Sequence, residues 1–458
     1  MPPLRKLFLG ASWPEAIFLV ALVDSQVYYA YRYILKYSDP GTSGTYAATP
    51  QSWQVAKYAL FIGFFIAVLA VILWHRTDRR IWRFKEWRAA PLALAISGLA
   101  LLLLLLTIAA AASSRAAADE LVKAWFFLPL LALVPLFWRG RRSLERMLWA
   151  VALLLGYHIV YEAVQLSLYY ADGRLPALAY AGTEVRFGAG LDDPNGFGQW
   201  LVLPMLLLFC GWPQRVGPWL RAVLLAVMVG MLLETISFTA GIALAVGVLA
   251  AVIIAQDRSR ALLAALAVVI SAVAAVLDRG LIRKIDGWKS QSIAQHTSLT
   301  TGGANSVEHW LLHTGIGGWL FGSPIHPPYS EIAYIWILVH FGILALIAIV
   351  AMIGYAIVRG IKQVRLLRRL RDHRGMLLYS ALTAWVIGAA VANLGTPTIP
   401  AEFPTNLMFW AIALVLTLPL IDPGGAPAQL PSVAAEVQMP AAPSARAAPT
   451  AQPGEAPV

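Results

Sequence analysis

The sequence predicts an all-α fold, a polytopic membrane bundle of about 12 transmembrane helices with two large periplasmic loops. The first reason is composition, because 59% of the 458 residues are hydrophobic and 13% are charged, about half the charged fraction of soluble domains. The second is length, since apolar runs recur near the roughly 20 residues that a helix needs to cross a bilayer core. The third is pattern, because segments such as 99–106 are apolar on every face, unlike the alternating strands of outer-membrane barrels.

The candidate spans follow one another up to residue 421, so residues 1–421 form the predicted transmembrane domain. Their predicted bounds are 14–35, 55–74, 91–112, 121–138, 147–168, 197–212, 219–236, 240–256, 261–277, 332–358, 376–394 and 406–421. The first span follows a short basic start without a small-residue cleavage site, so we expect a retained helix rather than a signal peptide. Residues 422–458 are rich in alanine and contain eight prolines, which predicts a disordered cytoplasmic tail.

The positive charge is placed as membrane topology predicts. With both termini in the cytoplasm, 24 of the 35 lysines and arginines fall in inner segments, in line with the positive-inside rule. The net charge of +11 therefore indicates anionic membrane lipids as partners and does not indicate nucleic acid.

The single cysteine, Cys210, excludes an intramolecular disulfide and is expected to be a buried, inert thiol.

Two outer segments are longer than a simple helical bundle requires. They cover about residues 169–196 and 278–331. Both mix aromatic residues, glycines, charges and histidines, which is not the composition of a disordered linker. Long loops of this kind are usually functional, so we expect any chemistry of this protein to lie in them.

The first loop ends in the turn-forming sequence Asp193-Pro-Asn-Gly196, and a helix is predicted to follow at Gln199. Asn195 is expected to cap that helix and to leave backbone N–H groups free at its positive end. Such an end attracts anions, and Arg186 precedes it by nine residues with a planar donor fork. The alternative is a capped helix with an ordinary surface arginine.

Three of the four histidines in the second loop lie in two settings that could carry chemistry. His309 and His313 form an i,i+4 pair that could hold a metal, but no third ligand lies at an obvious spacing, so no metal site is predicted. His326 lies among prolines that restrict its backbone, which suits a general base or an oriented donor. A plain surface role is the alternative for His326.

Charged residues also occur inside the predicted spans, where each costs about 2.5–3.5 kcal/mol on insertion scales. Asp24, Glu162 and Glu234 are such residues, and Arg32 lies near an outer helix end. Pairing of Asp24 or Glu162 with Arg32 is one explanation. The other is that Glu162 and Glu234 face a cavity beneath the outer loops.

Several motifs in these loops resemble those of the O-antigen polymerase and O-antigen ligase superfamily of bacterial membrane glycosyltransferases. The motifs are Arg186-x-Gly188, Asp193-Pro-Asn195, Leu203-Pro204, Trp310 with Trp319-Leu-Phe-Gly322, His326-Pro-Pro-Tyr329-Ser-Glu331 and His340-Phe-Gly342. The resemblance rests on their order, spacing and outer placement together, and the twelve-span layout extends it over much of the chain.

This resemblance implies a metal-independent, cofactor-free enzyme that uses a polyprenyl-diphosphate-linked glycan as donor. A polymerase would transfer the glycan to a lipid-linked repeat unit at the periplasmic face of the inner membrane, in exopolysaccharide or O-antigen assembly. A ligase would use the same donor with lipid A core in lipopolysaccharide, and a protein O-oligosaccharyltransferase would use a protein serine. Proteins that regulate chain length or export the glycan are the expected protein partners.

The resemblance also implies roles for individual residues. Arg186 and His326 would be catalytic, with Arg186 holding the diphosphate and His326 orienting or deprotonating the acceptor hydroxyl. The expected substrate-binding residues are Arg279, Arg283 or Lys284 as a second cation, Asn195 and Tyr329 as pocket walls, and Glu331 as an orienting carboxylate.

The chain departs from the family pattern at two places where members often carry an arginine. One follows Ser237, where this chain has Phe238, and the other lies shortly before Trp310, where it has Asn305-Ser-Val-Glu308. The identity of the second cation therefore stays open among Arg279, Arg283 and Lys284.

Two other classes of protein compete with this interpretation. A transporter or flippase for lipid-linked glycans would show internal repeats and paired interrupted helices, and the sequence shows no such repeat to the eye. A purely structural membrane subunit would have no use for two long loops.

Overall fold

The computed structural model describes residues 12, 14–23, 91–99, 102, 128–172, 179–181, 184–189, 191, 194–256, 332–341, 343–395 and 405–418. The elements in these ranges are helices, apart from one small antiparallel hairpin. The predicted spans 55–74 and 261–277, the tail 422–458 and the second outer loop at 278–331 lie outside the described residues.

The helices and strands are numbered in chain order. They are α1 (Pro14–Val23), α2 (91–99), a 3₁₀ helix (Leu128–Leu133), α3 (Val134–Phe137), α4 (Arg141–Asp172), β1 (Ala179–Ala181), β2 (Glu184–Arg186), α5 (Pro194–Phe209), α6 (Pro218–Glu234), α7 (Phe238–Ala255), α8 (Ala333–Phe341), α9 (Ile343–Arg369), α10 (His373–Ala392) and α11 (Thr405–Thr417).

The described helices are those of a membrane protein. Among them, α4, α7, α9 and α10 are long and apolar enough to cross a bilayer, whereas α1 and α11 are shorter apolar helices. Mean hydropathy over the best window reaches 2.5 in α7 and 2.3 in α9. The all-helical membrane character is therefore confirmed in the described part of the chain, and the total of 12 spans stays a prediction.

Two spanning helices are longer than their predicted spans. Helix α4 begins at Arg141 rather than at 147, and α9 continues to Arg369 rather than ending at 358. The added turns carry arginines and lysine, which are good helix formers. Hydropathy detects only the segment that matches the hydrocarbon core, so it misses a helix that continues into the headgroup region.

The closest helix pair is α7 with α10, which meet through small residues. On α7 the buried positions include Ala243, Gly247 and Ala251, and on α10 they include Ala384 and Gly388. A Cβ on Gly388 would overlap the carbonyl oxygen of Ala243 and would lie 3.3 Å from the backbone nitrogen of Gly247. Small residues let helix backbones approach closely in membranes, where dispersion contacts replace the hydrophobic effect as the main attraction.

The other described helices pack around this pair. Helix α5 contacts both α7 and α10, and the indole N–H of Trp385 on α10 donates to the carbonyl of Gln199 on α5 at 3.3 Å. Helix α9 packs against α10, and α11 contacts α5, α9 and α10. The side chains of α5 and α11 are buried almost throughout, so these helices are central within the described bundle.

The ends of the described helices form two chemically different regions. We call the region where α4, α6 and α10 begin the basic end. There, Arg141 bridges to Asp372 at 3.5 Å, and Arg368 donates to the carbonyl of Ile254 at 2.7 Å, at the end of α7. Cations are favourable at helix C-termini because of the helix dipole.

We call the opposite region, where α5, α7 and α11 begin, the polar end. There, the backbone N–H of Ala333 donates to the carbonyl of Asn393 at 2.9 Å, and the Tyr334 hydroxyl donates to the carbonyl of Ala390 at 2.7 Å. The described parts of the predicted inner loops, at 139–146, 213–218 and 368–374, thus lie at the basic end, and the described part of the first predicted outer loop lies at the polar end. Which end faces the cytoplasm stays a prediction from the charge distribution.

The α7–α10 contact makes a direct prediction about stability. We expect Gly388→Val to lower the free energy of unfolding by about 1–3 kcal/mol, because overpacking forces the two backbones apart. The measurement is SDS-induced unfolding of the purified protein, followed by circular dichroism. Gly241→Val on α7 is the control, since a Cβ there meets nothing within 4 Å. Equal stability of the two variants would contradict this account of the contact.

Candidate functional site

The polar end is organised around the segment that joins the hairpin to α5. Strands β1 and β2 pair antiparallel, with Ala179 opposite Arg186. Directly after β2, the backbone N–H of Phe187 donates to the carbonyl of Glu234 at 3.2 Å, at the end of α6. The backbone of Arg186 is therefore held one residue from a fixed point on the bundle.

A tight turn follows, in which Leu191 N–H donates to the carbonyl of Gly188 at 2.8 Å. Ala189 adopts a left-handed conformation with φ of 44°. A Cβ at Gly188 would lie 2.7 Å from the carbonyl oxygen of Leu191. Only glycine fits position 188 without a shift in the turn, and left-handed backbone is strained for alanine. Such strain persists only where the surroundings fix the conformation.

His158 on α4 is the group that fixes this turn. Its side chain is fully buried, and Nδ1 lies 2.8 Å from the carbonyl oxygen of Ala189. A carbonyl can only accept, so Nδ1 carries the hydrogen and donates. The ring also contacts Trp200 and Phe197 of α5, with centroid distances of 4.6 and 5.3 Å. The turn, α4 and α5 therefore meet at one imidazole.

One helical turn beyond His158, Glu162 places a carboxylate on the same face of α4. It is 2% exposed, and neither oxygen makes a hydrogen bond within the described part of the chain. The Ala189 backbone and Glu234 lie near it. Burying a carboxyl group without a hydrogen bond costs free energy. A residue kept at that cost is a candidate binding group for a hydroxyl or a cation.

The prediction that Asn195 caps the helix after the first loop is wrong. Helix α5 begins at Pro194, so Asn195 lies in its first turn. Proline favours the first helical position because its fixed φ suits the helix and its missing N–H needs no partner there. Asn195 is half-buried at the polar end. It therefore lies near the first loop as predicted, but it does not cap the helix.

The other predicted site residues are described less fully or not at all. The backbone of Arg186 lies at the polar end, and its side chain is outside the described atoms. The remaining predicted residues lie outside the described residues: Arg279, Arg283, Lys284, His326, Tyr329 and Glu331. The histidine pair of the second loop, His309 and His313, and the charged residues Asp24 and Arg32 also lie outside them. Their roles stay predictions.

His158 was missed by the sequence analysis, although a signal was present. His158 and Glu162 stand at i and i+4 in an otherwise apolar segment, which places both on one helix face. Ionisable residues inside spans are usually functional or paired. Glu162 was recognised on that ground, whereas the histidine partner of the turn was not, because its contact with Ala189 bridges a sequence separation of 31.

In the glycosyltransferase superfamily whose motifs this chain resembles, an arginine often follows the serine at the position of Ser237. Its hydroxyl caps α7 by accepting from the Ala240 backbone N–H at 3.3 Å. It also lies 3.2 Å from the Thr239 hydroxyl. Ser237 therefore caps a helix, and the residue after it provides no cation.

Within the described residues, no group of three His, Cys, Asp or Glu side chains could hold a metal ion.

Comparison with known proteins adds no family assignment, because the chain matches no protein-family model and no curated protein significantly.

The His158 contact generates a prediction about local stability. We expect His158→Phe to release the turn, because it removes a buried hydrogen bond and leaves the Ala189 carbonyl unpaired, at a cost of about 1–2 kcal/mol. Hydrogen exchange of peptides covering 187–191, measured by mass spectrometry, should accelerate roughly 5–30-fold.

Ser167→Ala is the matched control for this experiment. It removes a hydrogen bond from an exposed residue of the same helix, where the hydroxyl donates to the carbonyl of Ala163 at 2.7 Å. Unchanged exchange at 187–191 is expected there. Wild-type exchange in the His158→Phe variant would show that the turn does not depend on the imidazole.

Proposed function

We propose that the protein is a glycan polymerase of the bacterial inner membrane that transfers a polyprenyl-diphosphate-linked glycan to a lipid-linked repeat unit at the periplasmic face. The observation that carries the proposal is the arrangement at the polar end. The backbone of Arg186 leads directly into a turn fixed by His158 and by the carbonyl of Glu234, beside the buried carboxylate of Glu162.

The arrangement supports this chemistry because the reaction needs a cation held at a fixed place outside the hydrocarbon core. In the transfer, an acceptor hydroxyl oxygen bonds to the anomeric carbon of the donor glycan. The bond from that carbon to the phosphate oxygen breaks, and polyprenyl diphosphate leaves with the electron pair. Preorganised cations stabilise the charge that develops on the leaving group. We assign that role to Arg186 and, as second cation, to Arg279, Arg283 or Lys284.

The acceptor side needs a proton acceptor and groups that orient the sugar. We assign His326 as the residue that orients or deprotonates the acceptor hydroxyl. Asn195, Tyr329 and Glu331 shape and orient the same pocket. Glu162 adds a buried carboxyl group that can form hydrogen bonds with sugar hydroxyls when the glycan is bound.

Transfer assays with purified protein in liposomes test the assignment of Arg186. We expect Arg186→Gln to lower the transfer rate by roughly 10²–10³-fold, the usual loss when one preorganised donor to a developing anion is removed. Arg142→Gln is the control, because Arg142 is an exposed arginine at the start of α4, at the opposite end of the bundle. Normal rates for Arg186→Gln at wild-type protein levels would remove Arg186 from the site.

The same assay tests Glu162 separately. We expect Glu162→Gln to lower kcat/KM by about tenfold, since the amide replaces one carboxyl oxygen and a buried group left without its hydrogen bond costs about 1–3 kcal/mol. Ser167→Ala on the same helix should leave kcat/KM unchanged. If the Glu162→Gln variant is more stable than wild type and keeps full activity, Glu162 destabilises the fold and has no role in the reaction.

A labelled donor tests the polymerase assignment against the ligase alternative. Radiolabel passing from the donor to lipid A core would identify a ligase and overturn the polymerase assignment.

A further inference from the structure

The basic end contains a cavity of about 540 Å³ between the beginnings of α4, α6 and α10 and the end of α5. This volume is within the range of small-molecule sites, about 300–1,000 Å³. Four arginines and one glutamate supply the fully charged groups of its lining, and two tryptophans supply much of its apolar wall. These residues are Arg141, Arg215, Arg221, Arg374, Glu145, Trp149 and Trp212.

The backbone adds to the positive potential of this cavity. Three helices begin at its rim, α4 at Arg141, α6 at Pro218 and α10 at His373. Each helix N-terminus carries about half a positive charge. Gly217 has no side chain to cap α6, whereas the Asp372 carboxylate caps α10 by accepting from the Gly375 backbone N–H. The arginines and the start of α6 therefore act in the same direction and favour an anion.

The arginine side chains are held in different ways. Arg221 donates from Nη2 to the carbonyl of Pro213 at 3.0 Å, while its buried Nε makes no hydrogen bond within the described residues. Arg141 is tied to Glu145 at 3.1 Å and to Asp372 at 3.5 Å. Arg215 and Arg374 are exposed at the rim. The cavity thus combines fixed donors inside with two cations whose geometry can adapt to a ligand.

Neighbouring side chains place the cavity at the depth of lipid headgroups. Trp219 and Leu220, in the first turn of α6, are 83% and 53% exposed. Trp149 and Trp212 form a tilted ring pair with centroids 5.7 Å apart. Tryptophans gather at the membrane–water interface, and exposed apolar side chains on a membrane helix face lipid. An anion bound here therefore lies beside acyl chains rather than in free solvent.

We propose that this cavity binds the headgroup of an anionic phospholipid with two phosphates, of the cardiolipin type. Arginine forks match phosphate oxygens, and basic pockets between membrane helices on the cytoplasmic side suit such headgroups. The four arginines of the lining offer enough N–H donors for two phosphates. This site is at the opposite end from the proposed transfer reaction and does not depend on it.

The test is native mass spectrometry of the detergent-solubilised full-length protein, titrated with cardiolipin, with phosphatidylethanolamine and with inorganic pyrophosphate. The variant replaces the two exposed cations, Arg215→Gln with Arg374→Gln, so the fixed contacts of Arg141 and Arg221 remain. The control replaces Arg365 and Arg369 by glutamine. These arginines are exposed on α9 and do not line the cavity, so the charge lost is the same.

Wild type should bind cardiolipin at least tenfold more tightly than phosphatidylethanolamine. Each cation near an anionic headgroup is worth about fivefold in binding, so the cavity variant should bind cardiolipin roughly 25-fold more weakly. The control variant should change the Kd less than twofold. An equal loss in the control would show general charge attraction and overturn the proposal. Tight, arginine-dependent binding of pyrophosphate without a preference for cardiolipin would overturn its assignment to a lipid.

Discussion

The close contact of α7 with α10 is the constraint on which the rest of the described structure depends. Without side chains larger than alanine or glycine at the crossing, the two backbones approach until Gly388 meets Ala243 and Gly247. That distance sets where the neighbouring helices pack: α5 lies against both members of the pair, α9 lies mainly against α10, and α11 contacts α5, α9 and α10. In a membrane, such contacts stabilise mainly through packing, so a single added side chain at the crossing affects every helix around it.

The bundle built on this contact separates two kinds of chemistry. At the basic end, arginines bind helix C-termini and line a cavity beside interfacial tryptophans. At the polar end, the first loop returns onto the helices through a turn that His158 and Glu234 hold in place. The proposed transfer reaction would use this division. The polar end would present fixed polar groups to a glycan, and under the proposed lipid site the basic end would lie among anionic headgroups.

The sequence predicted the spanning helices better than the site, for a physical reason. Hydropathy is a local property, so the predicted span 240–256 and the observed helix Phe238–Ala255 nearly coincide. The Asn195 cap failed because proline at the first helical position outweighed the turn preference of Asn-Gly. His158 was missed because its role depends on Ala189, a long-range contact that no local pattern reveals. The second-loop residues, His326 among them, lie outside the described residues and remain predictions.

The central claim is that this protein breaks a glycan–diphosphate bond rather than moving its substrate intact. The most direct test reconstitutes the purified protein in liposomes with a synthetic polyprenyl-diphosphate-linked oligosaccharide and follows both parts of the donor by mass spectrometry. The account predicts that free polyprenyl diphosphate accumulates in step with elongated lipid-linked glycan. Donor that crosses the bilayer while its glycan–diphosphate bond stays intact, with no free polyprenyl diphosphate, would contradict the account and identify a transporter.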